Sequence, residues 1–209
     1  IVSCNFKIKK NLALELNKLF LEVIIANGFD NDAFGILKTK KNLRLIDGTN
    51  YSLNQFFKFI SYNQDILVQS EDLDQFSNKN FKVVSKRKPT LNQLKNLIFA
   101  FNICRFVKSN AIVLASNETT VGIGSGQPNR LDSCKIAVKK MKESKINTNN
   151  LVAASDAFFP FVDGIEELIQ SGVKAVVQPS GSIRDKEIIN FANETDTALV
   201  FSSTRHFRH

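Results

Sequence analysis

The stretch VKAVVQPSGSIRDKEIINFANETDTALVF, residues 173–201, decides the fold. VKAVVQ and TALVF are apolar runs of strand length, and the residues across 183–193 between them read as a helix. Working back, LVAAS (151–155) predicts another strand, and residues 164 to 171 predict a helix stopped by Gly172. Strand, helix, strand, helix, strand is the alternation of a three-layer α/β architecture with a largely parallel C-terminal sheet. Two further strands precede it, NAIVLA (110–115) and TTVGIG (119–124), parted by the turn-like SNE. A helix is expected after Asn129, with Cys134, Ala137, Val138 and Met141 facing inward.

Upstream the pattern is less regular. Leu12, Leu16, Leu19, Phe20 and Val23 share one face of a helix expected over 12–24. NLRLI (42–46) is of strand length, and the aromatic-rich stretch 51–69 suggests strands joined near Asn63-Gln64. FKVVS (81–85) predicts a strand ended by KRKP. Thr90 with Gln93 then forms a capping-box pattern ahead of a helix carrying Leu94, Leu97, Ile98 and Phe101. The stretch SEDLDQFSNKN (70–80) is linker-like, in keeping with a long loop rather than a domain boundary.

The 209 residues suffice for one large domain or two small ones, and 43% hydrophobic with 23% charged residues is an ordinary globular composition. No apolar run approaches the roughly 20 residues that span a bilayer, so no membrane partner is expected. The N-terminal IVSCNFKIKK has neither an initiator methionine nor a signal pattern, and reads like the interior of a domain. A piece of a longer protein is therefore expected. Cys4, Cys104 and Cys134 are odd in number and far apart, which argues against a disulfide framework and for a reducing cytoplasm. His206 and His209 are the only histidines, a poor inventory for zinc. The formal charge of +8 concentrates at 38–44, 86–88 and 139–145. A lysine-rich surface that attracts an anionic metabolite explains it without nucleic acid, for which no recognition motif is present.

Two strand-to-helix junctions are glycine-rich, GIGSGQPNR (122–130) and QPSGSIRD (178–185). Glycine lets backbone approach a ligand, and a following helix offers free N–H groups to an anion, although an ordinary tight turn explains either junction alone. Between them lies ASDAFFPFVDG (154–164), an aromatic corner around Pro160 flanked by Asp156 and Asp163. Together they favour a cleft at the strand ends.

These residues carry a resemblance. VKSNAIVLA, TTVGIGSGQPNRLDS, SDAFFPFVDGI, VVQPSGSIRDKEII and RHFRH, with IVSCN, FLEVIIANGF, ILKTKKNLRL and VVSKRKPT upstream, are similar to the transformylase part of the bifunctional AICAR transformylase/IMP cyclohydrolase family, AICAR being aminoimidazole carboxamide ribonucleotide. The resemblance spans nearly the whole chain. It implies a cytidine-deaminase-like α/β fold of which residues 1–209 form the C-terminal portion. It also implies transfer of a formyl group from 10-formyltetrahydrofolate to the 5-amino group of AICAR, in a homodimer of the full-length enzyme. The zinc motifs of true deaminases, H-x-E and P-C-x-x-C, are missing, so no zinc chemistry is implied.

Residue by residue, the resemblance implies that Asn110 orients a carboxamide or formyl oxygen and that His209 assists proton transfer. Glu22, Asn110, Arg130, Phe158 and Arg205 match AICAR contacts; Leu131, Pro160, Phe161, Asp163 and Ser182 match the folate side. Asp156 and Ser109 match part of a structural potassium site of animal members, with Ala111 where those members supply a hydroxyl. Other departures are Asn27 where proline is usual and Gln64-Asp65 in place of a glycine-containing turn. The family's catalytic Lys-His pair has no counterpart in the 209 residues, so the chain alone is expected to be inactive. The alternative is a module that holds a nucleotide without chemistry, or a decayed remnant.

Overall fold

A computed structural model of the protein describes residues 1–50, 57–73, 76–144, 146 and 148–208. The chain divides into two compact units, Ile1–Glu71 and Asp72–His209, and the division falls inside the linker-like stretch 70–80. Among the described residues no helix is long and apolar enough to cross a membrane.

In the first unit, β1 (Val2–Cys4), β2 (Val23–Ala26) and β3 (Arg44–Asp47) form a parallel sheet in that order. Helices α1 (Lys10–Asn17) and α2 (Asn31–Leu37) connect them, and Ile8, Ala13, Leu16, Ile24, Ala33 and Leu37 fill the core. The helix expected over 12–24 therefore stops at Asn17. Val23-Ile24-Ile25 is a β-branched run that pairs with β3 along its length and, at Ile24 and Ile25, with β1 as well, and strand pairing overrides the helical spacing. Leu19 and Phe20, expected on the buried face, are 53% and 90% exposed. Asn27 sends its Nδ2 to the carbonyl of Asn5 at 3.0 Å, a bond that proline could not make. Strands β4 (Phe57–Tyr62) and β5 (Asp65–Ser70) form a hairpin turning at Asn63-Gln64, with Asn63 at φ +53°. Residues 51–56 of the expected strand pair lie outside the described residues.

In the second unit, the ordered elements are β6 (Phe81–Val83), α3 (Leu91–Cys104), β7 (Ile112–Ser116), β8 (Thr119–Gly124), α4 (Arg130–Glu143), β9 (Val152–Ser155), α5 (Val162–Gln170), β10 (Ala175–Pro179), α6 (Asp185–Glu194) and β11 (Ala198–Ser202). The capping box at Thr90 forms as its sequence pattern requires. Gln93 N donates to Thr90 Oγ1 and Thr90 N donates to Gln93 Oε1. Asn129 caps α4 by accepting from Asp132 N at 2.8 Å.

The strands form one sheet in the order β6-β11-β10-β9-β7-β8 among the described residues. Successive residues alternate between its faces. Ile112, Leu114, Ala153, Val176 and Leu199 pack against α4, α5 and α6, whereas Val113, Val152, Ala154, Val177 and Val200 pack against α3. Burial on both faces is why these strands read as continuous apolar runs. The result is a mixed α/β arrangement with a helical layer on each face.

The sheet is less parallel than expected. Only β9, β10 and β11 run parallel to one another as neighbours; β6 is antiparallel to β11, and β7 is antiparallel to β8 and β9. The reason is local for β7 and β8. Asn117 and Glu118 both adopt φ +51°, the left-handed two-residue turn that folds a chain straight back on itself.

Candidate functional site

The topology brings distant segments to one edge of the sheet. Ile112, at the start of β7, pairs with Gly124 at the end of β8 and with Ser155 at the end of β9. Ser109 and Asn110 therefore meet the first turn of α4 and the chain leaving β9. The parallel strands β10 and β11 end at the same edge, where Gly181 and Arg205 follow.

Arg130 opens α4 and is 9% exposed; Asp156, just past β9, is 1% exposed. Arg130 Nη1 donates to Asp156 Oδ1 at 2.5 Å and to Ser155 Oγ at 2.9 Å, while Nη2 donates to Asn110 Oδ1 at 2.9 Å. Asn110 Nδ2 donates to the carbonyl of Gln127 at 2.9 Å, and Ser109 Oγ donates to Asp156 Oδ2 at 2.7 Å. A buried charge pair of this kind persists because its remaining polar atoms are also satisfied. Asn110 keeps one amide N–H and one lone pair uncommitted by these bonds. Its plane is held from both ends.

Two clefts open on either side of Pro160. The first, about 380 Å³, is lined by Asn110, Arg130, Phe158, Pro160, Arg205 and Phe207 among others. The second, about 260 Å³, is lined by Arg130, Leu131, Asp132, Pro160, Phe161 and Asp163 among others. Arg205 lays its guanidinium 4.6 Å from the Phe158 ring centre, and Arg184 does the same over Phe161. Among the described residues no carboxylate pairs with Arg205. Phe159, between the half-buried Phe158 and the exposed Phe161, is fully buried in the core.

The structure thus brings together Ser109, Asn110, Leu131, Arg130, Asp156, Phe158, Pro160, Phe161, Asp163 and Arg205. Ser182 lines neither cleft; its Oγ accepts from Arg184 N at 3.1 Å in the turn before α6. Glu22 is exposed on the first unit. His209 lies outside the described residues. Asp163 has a plain structural role as well, because it stands in the first turn of α5, where a carboxylate offsets the positive helix end. Asp132, Arg184 and Phe207 were not expected. Asp132 was legible as a first-turn acid of α4, but nothing in the local spacing marks Arg184 or Phe207.

The glycine-rich junctions act differently from each other. Gly122 and Gly124 face α4, not a ligand: a Cβ on Gly124 would stand 1.8 Å from the Ser133 carbonyl oxygen, and one on Gly122 would stand 2.1 Å from that of Ala137. Gly181 does serve the site. It sits at φ +108°, and a Cβ there would press on Arg205 Nη2 at 2.9 Å.

Among the described residues no three His, Cys, Asp or Glu side chains gather as a metal centre. Burial pushes the thiol of Cys134 up to about 12, and burial raises Cys104 as well, with Asp156 adding to the effect. Both therefore stay protonated and unreactive near neutrality. Titration of the folded chain with a thiol-specific disulfide reagent at pH 8 is expected to label Cys4 quickly and the other two only on unfolding. Rapid labelling of all three would contradict the burial of Cys104 and Cys134.

These features define a mixed α/β protein with paired aromatic-walled, arginine-lined clefts at its strand ends, a site suited to flat anionic ligands. The chain belongs to the AICARFT/IMPCHase bienzyme family, whose model matches residues 1–140. It is 43% identical over 210 residues to the bifunctional purine biosynthesis protein PurH of Caldicellulosiruptor saccharolyticus, covering 100% of this chain and 40% of that protein. The PurH proteins of Persephonella marina and Limosilactobacillus reuteri are each 44% identical over 211 residues, again over 100% of this chain and 41% of theirs. The chain thus spans about two fifths of the length of these curated relatives.

Proposed function

We propose that this chain supplies the nucleotide and folate clefts of an AICAR formyltransferase acting in purine biosynthesis, within a cytidine-deaminase-like fold and a homodimeric, cytoplasmic enzyme. The observation that carries the reading is the pair of clefts sharing Pro160 and Arg130. Two flat substrates can be seated side by side, one against Phe158 and one against Phe161.

In this reading AICAR occupies the first cleft. The 4.6 Å between Arg205 and Phe158 leaves no room for a ring, so the guanidinium lifts off as the base packs on Phe158 and becomes free for the phosphate. Asn110, held by Arg130 and Gln127, turns its uncommitted N–H and lone pair to the carboxamide or the formyl oxygen. The folate lies in the second cleft against Leu131, Pro160 and Phe161, with Asp163 accepting from pterin N–H groups. The AICAR amine attacks the formyl carbon of 10-formyltetrahydrofolate. The C–N10 bond breaks, the amine loses a proton and N10 gains one, which gives formyl-AICAR and tetrahydrofolate. His209 is the residue of this chain proposed to move that proton; Ser182 and Glu22 are proposed as outer contacts to folate and nucleotide.

A potassium ion at Ser109 and Asp156 would be held mainly by backbone oxygens, because both carboxylate oxygens of Asp156 are engaged, one by Arg130 and one by Ser109. No step is assigned to it.

The test is formyl transfer from 10-formyltetrahydrofolate to AICAR, measured for the 209 residues alone and for the same residues joined behind the preceding segment of a curated relative. Turnover only in the longer protein is the expected result. AICAR binding without turnover in both would favour a nucleotide-binding module instead. In whichever protein binds AICAR, Arg205→Ala is expected to weaken binding by about 10- to 100-fold, the loss of a charge-assisted contact to phosphate.

A further inference from the structure

The segment that follows β11, residues 203–208, has no regular structure, yet its side chains alternate. Arg205 lies over Phe158, His206 is 1% exposed, and Phe207 lines the first cleft. Backbone bonds tether it: His206 N donates to Asp156 O at 2.9 Å, Ser109 N to Arg208 O at 2.9 Å, and Arg208 N to Ser109 Oγ at 3.2 Å. The His206 ring packs edge-on against Phe76, centre to centre 5.0 Å, and at 4.6 Å from Phe101. Its Nδ1 lies 2.6 Å from Asp72 Oδ2. An ionised carboxylate only accepts, so Nδ1 carries the hydrogen. Nε2 is buried with no partner among the described residues.

That orphan nitrogen is informative. A leucine would fill the aromatic slot without leaving a buried polar atom unbonded, a defect that costs about 1–3 kcal/mol. What the imidazole adds is direction, a bond to one carboxylate that a hydrocarbon cannot make. We propose that His206, tied to Asp72, is a positioning residue for the first cleft: it fixes the register of the C-terminal segment so that Arg205 meets Phe158 and Phe207 lines the wall. A slip of one residue would turn Arg205 toward Phe76 and Phe101 and remove the cleft's unpaired cation. The pin also holds the backbone still while the Arg205 side chain moves. In its ligand consequences the inference rests on the first cleft being the nucleotide site; the pin itself does not.

The experiment uses the full 209-residue chain with Asp72→Ala, which removes the acceptor, and Asp72→Asn, which keeps an oxygen there. His206→Leu provides a second loss of the tie with packing retained. Amide hydrogen exchange at Ser109, His206 and Arg208 is expected to accelerate about tenfold or more in Asp72→Ala and His206→Leu, with β9 and β10 unchanged and Asp72→Asn close to the parent. AICAR affinity should fall about 5- to 30-fold in the first two and recover in the third. Unchanged exchange in the folded variants, or acceleration spread evenly over the sheet, would overturn the proposal. If neither the 209-residue chain nor the longer protein binds AICAR, the nucleotide reading of the cleft fails, and the exchange result still decides the pin.

Discussion

Asp156→Ala is expected to lower the unfolding free energy of the second unit by about 3–5 kcal/mol, read from urea unfolding followed by circular dichroism. The carboxylate is almost wholly buried and meets Arg130 at 2.5 Å and Ser109 at 2.7 Å. Removing it strands a guanidinium in the interior with only Ser155 and Asn110 to receive its hydrogens. The large effect comes from that uncompensated charge, not from the net worth of the pair, because separating ions from water offsets most of their attraction. The paired change Asp156→Leu with Arg130→Met should therefore recover much of the loss, although it removes a proposed nucleotide contact. Single variants within about 1 kcal/mol of the parent would show that water or relaxation satisfies Arg130 after all.

Gly124→Ala should be nearly as damaging, by roughly 3 kcal/mol, at the upper end of what overpacking usually does. The added carbon would lie 1.8 Å from the Ser133 carbonyl oxygen and 2.6 Å from its carbon, both backbone atoms in the first turn of α4 that no rotamer change can move. The helix would have to rise from β8, opening the cluster around Cys134, Ala137 and Val138 and shifting Arg130 at its first turn. Gly35→Ala is the control. Gly35 lies inside α2 with nothing within 4 Å of the new carbon, so that change should stabilise the first unit by about 1 kcal/mol. A Gly124→Ala protein that melts with the parent would mean that α4 does not ride on β8 at this distance.

Much of this fold was legible in advance because it is written in local rules. Thr90 and Gln93, Asn129, and the inward residues of α4 needed only a cap and a helical period. The elements that misled are those where a distant partner outweighs the local pattern. Leu12 to Val23 keep helical spacing, but β3 claims Val23 for a strand. The direction of β7 could not be read from an apolar run that is buried on both faces and looks the same either way round.

The candidate site divides along the same line. Ser109, Asn110, Arg130, Leu131, Asp156, Phe158, Pro160, Phe161, Asp163 and Arg205 were named from motifs, and the structure sets them around two neighbouring clefts or beneath them. Their pairings were not legible. Arg130 lines both clefts, but its bond to Asp156, 26 residues along the chain, was not foreseen for either residue. The tie from Asp72 to His206 spans 134 residues.

By itself, then, the sequence determined the alternation of strands and helices, the caps, and the aromatic and basic residues available for a cleft, because each follows from neighbours a few residues apart. Tertiary structure alone decided strand direction, the close seat of α4 on Gly122 and Gly124, and which charge meets which. Those depend on the sheet order that brings residues 72, 110, 130, 156 and 206 together, and no short-range period encodes that order.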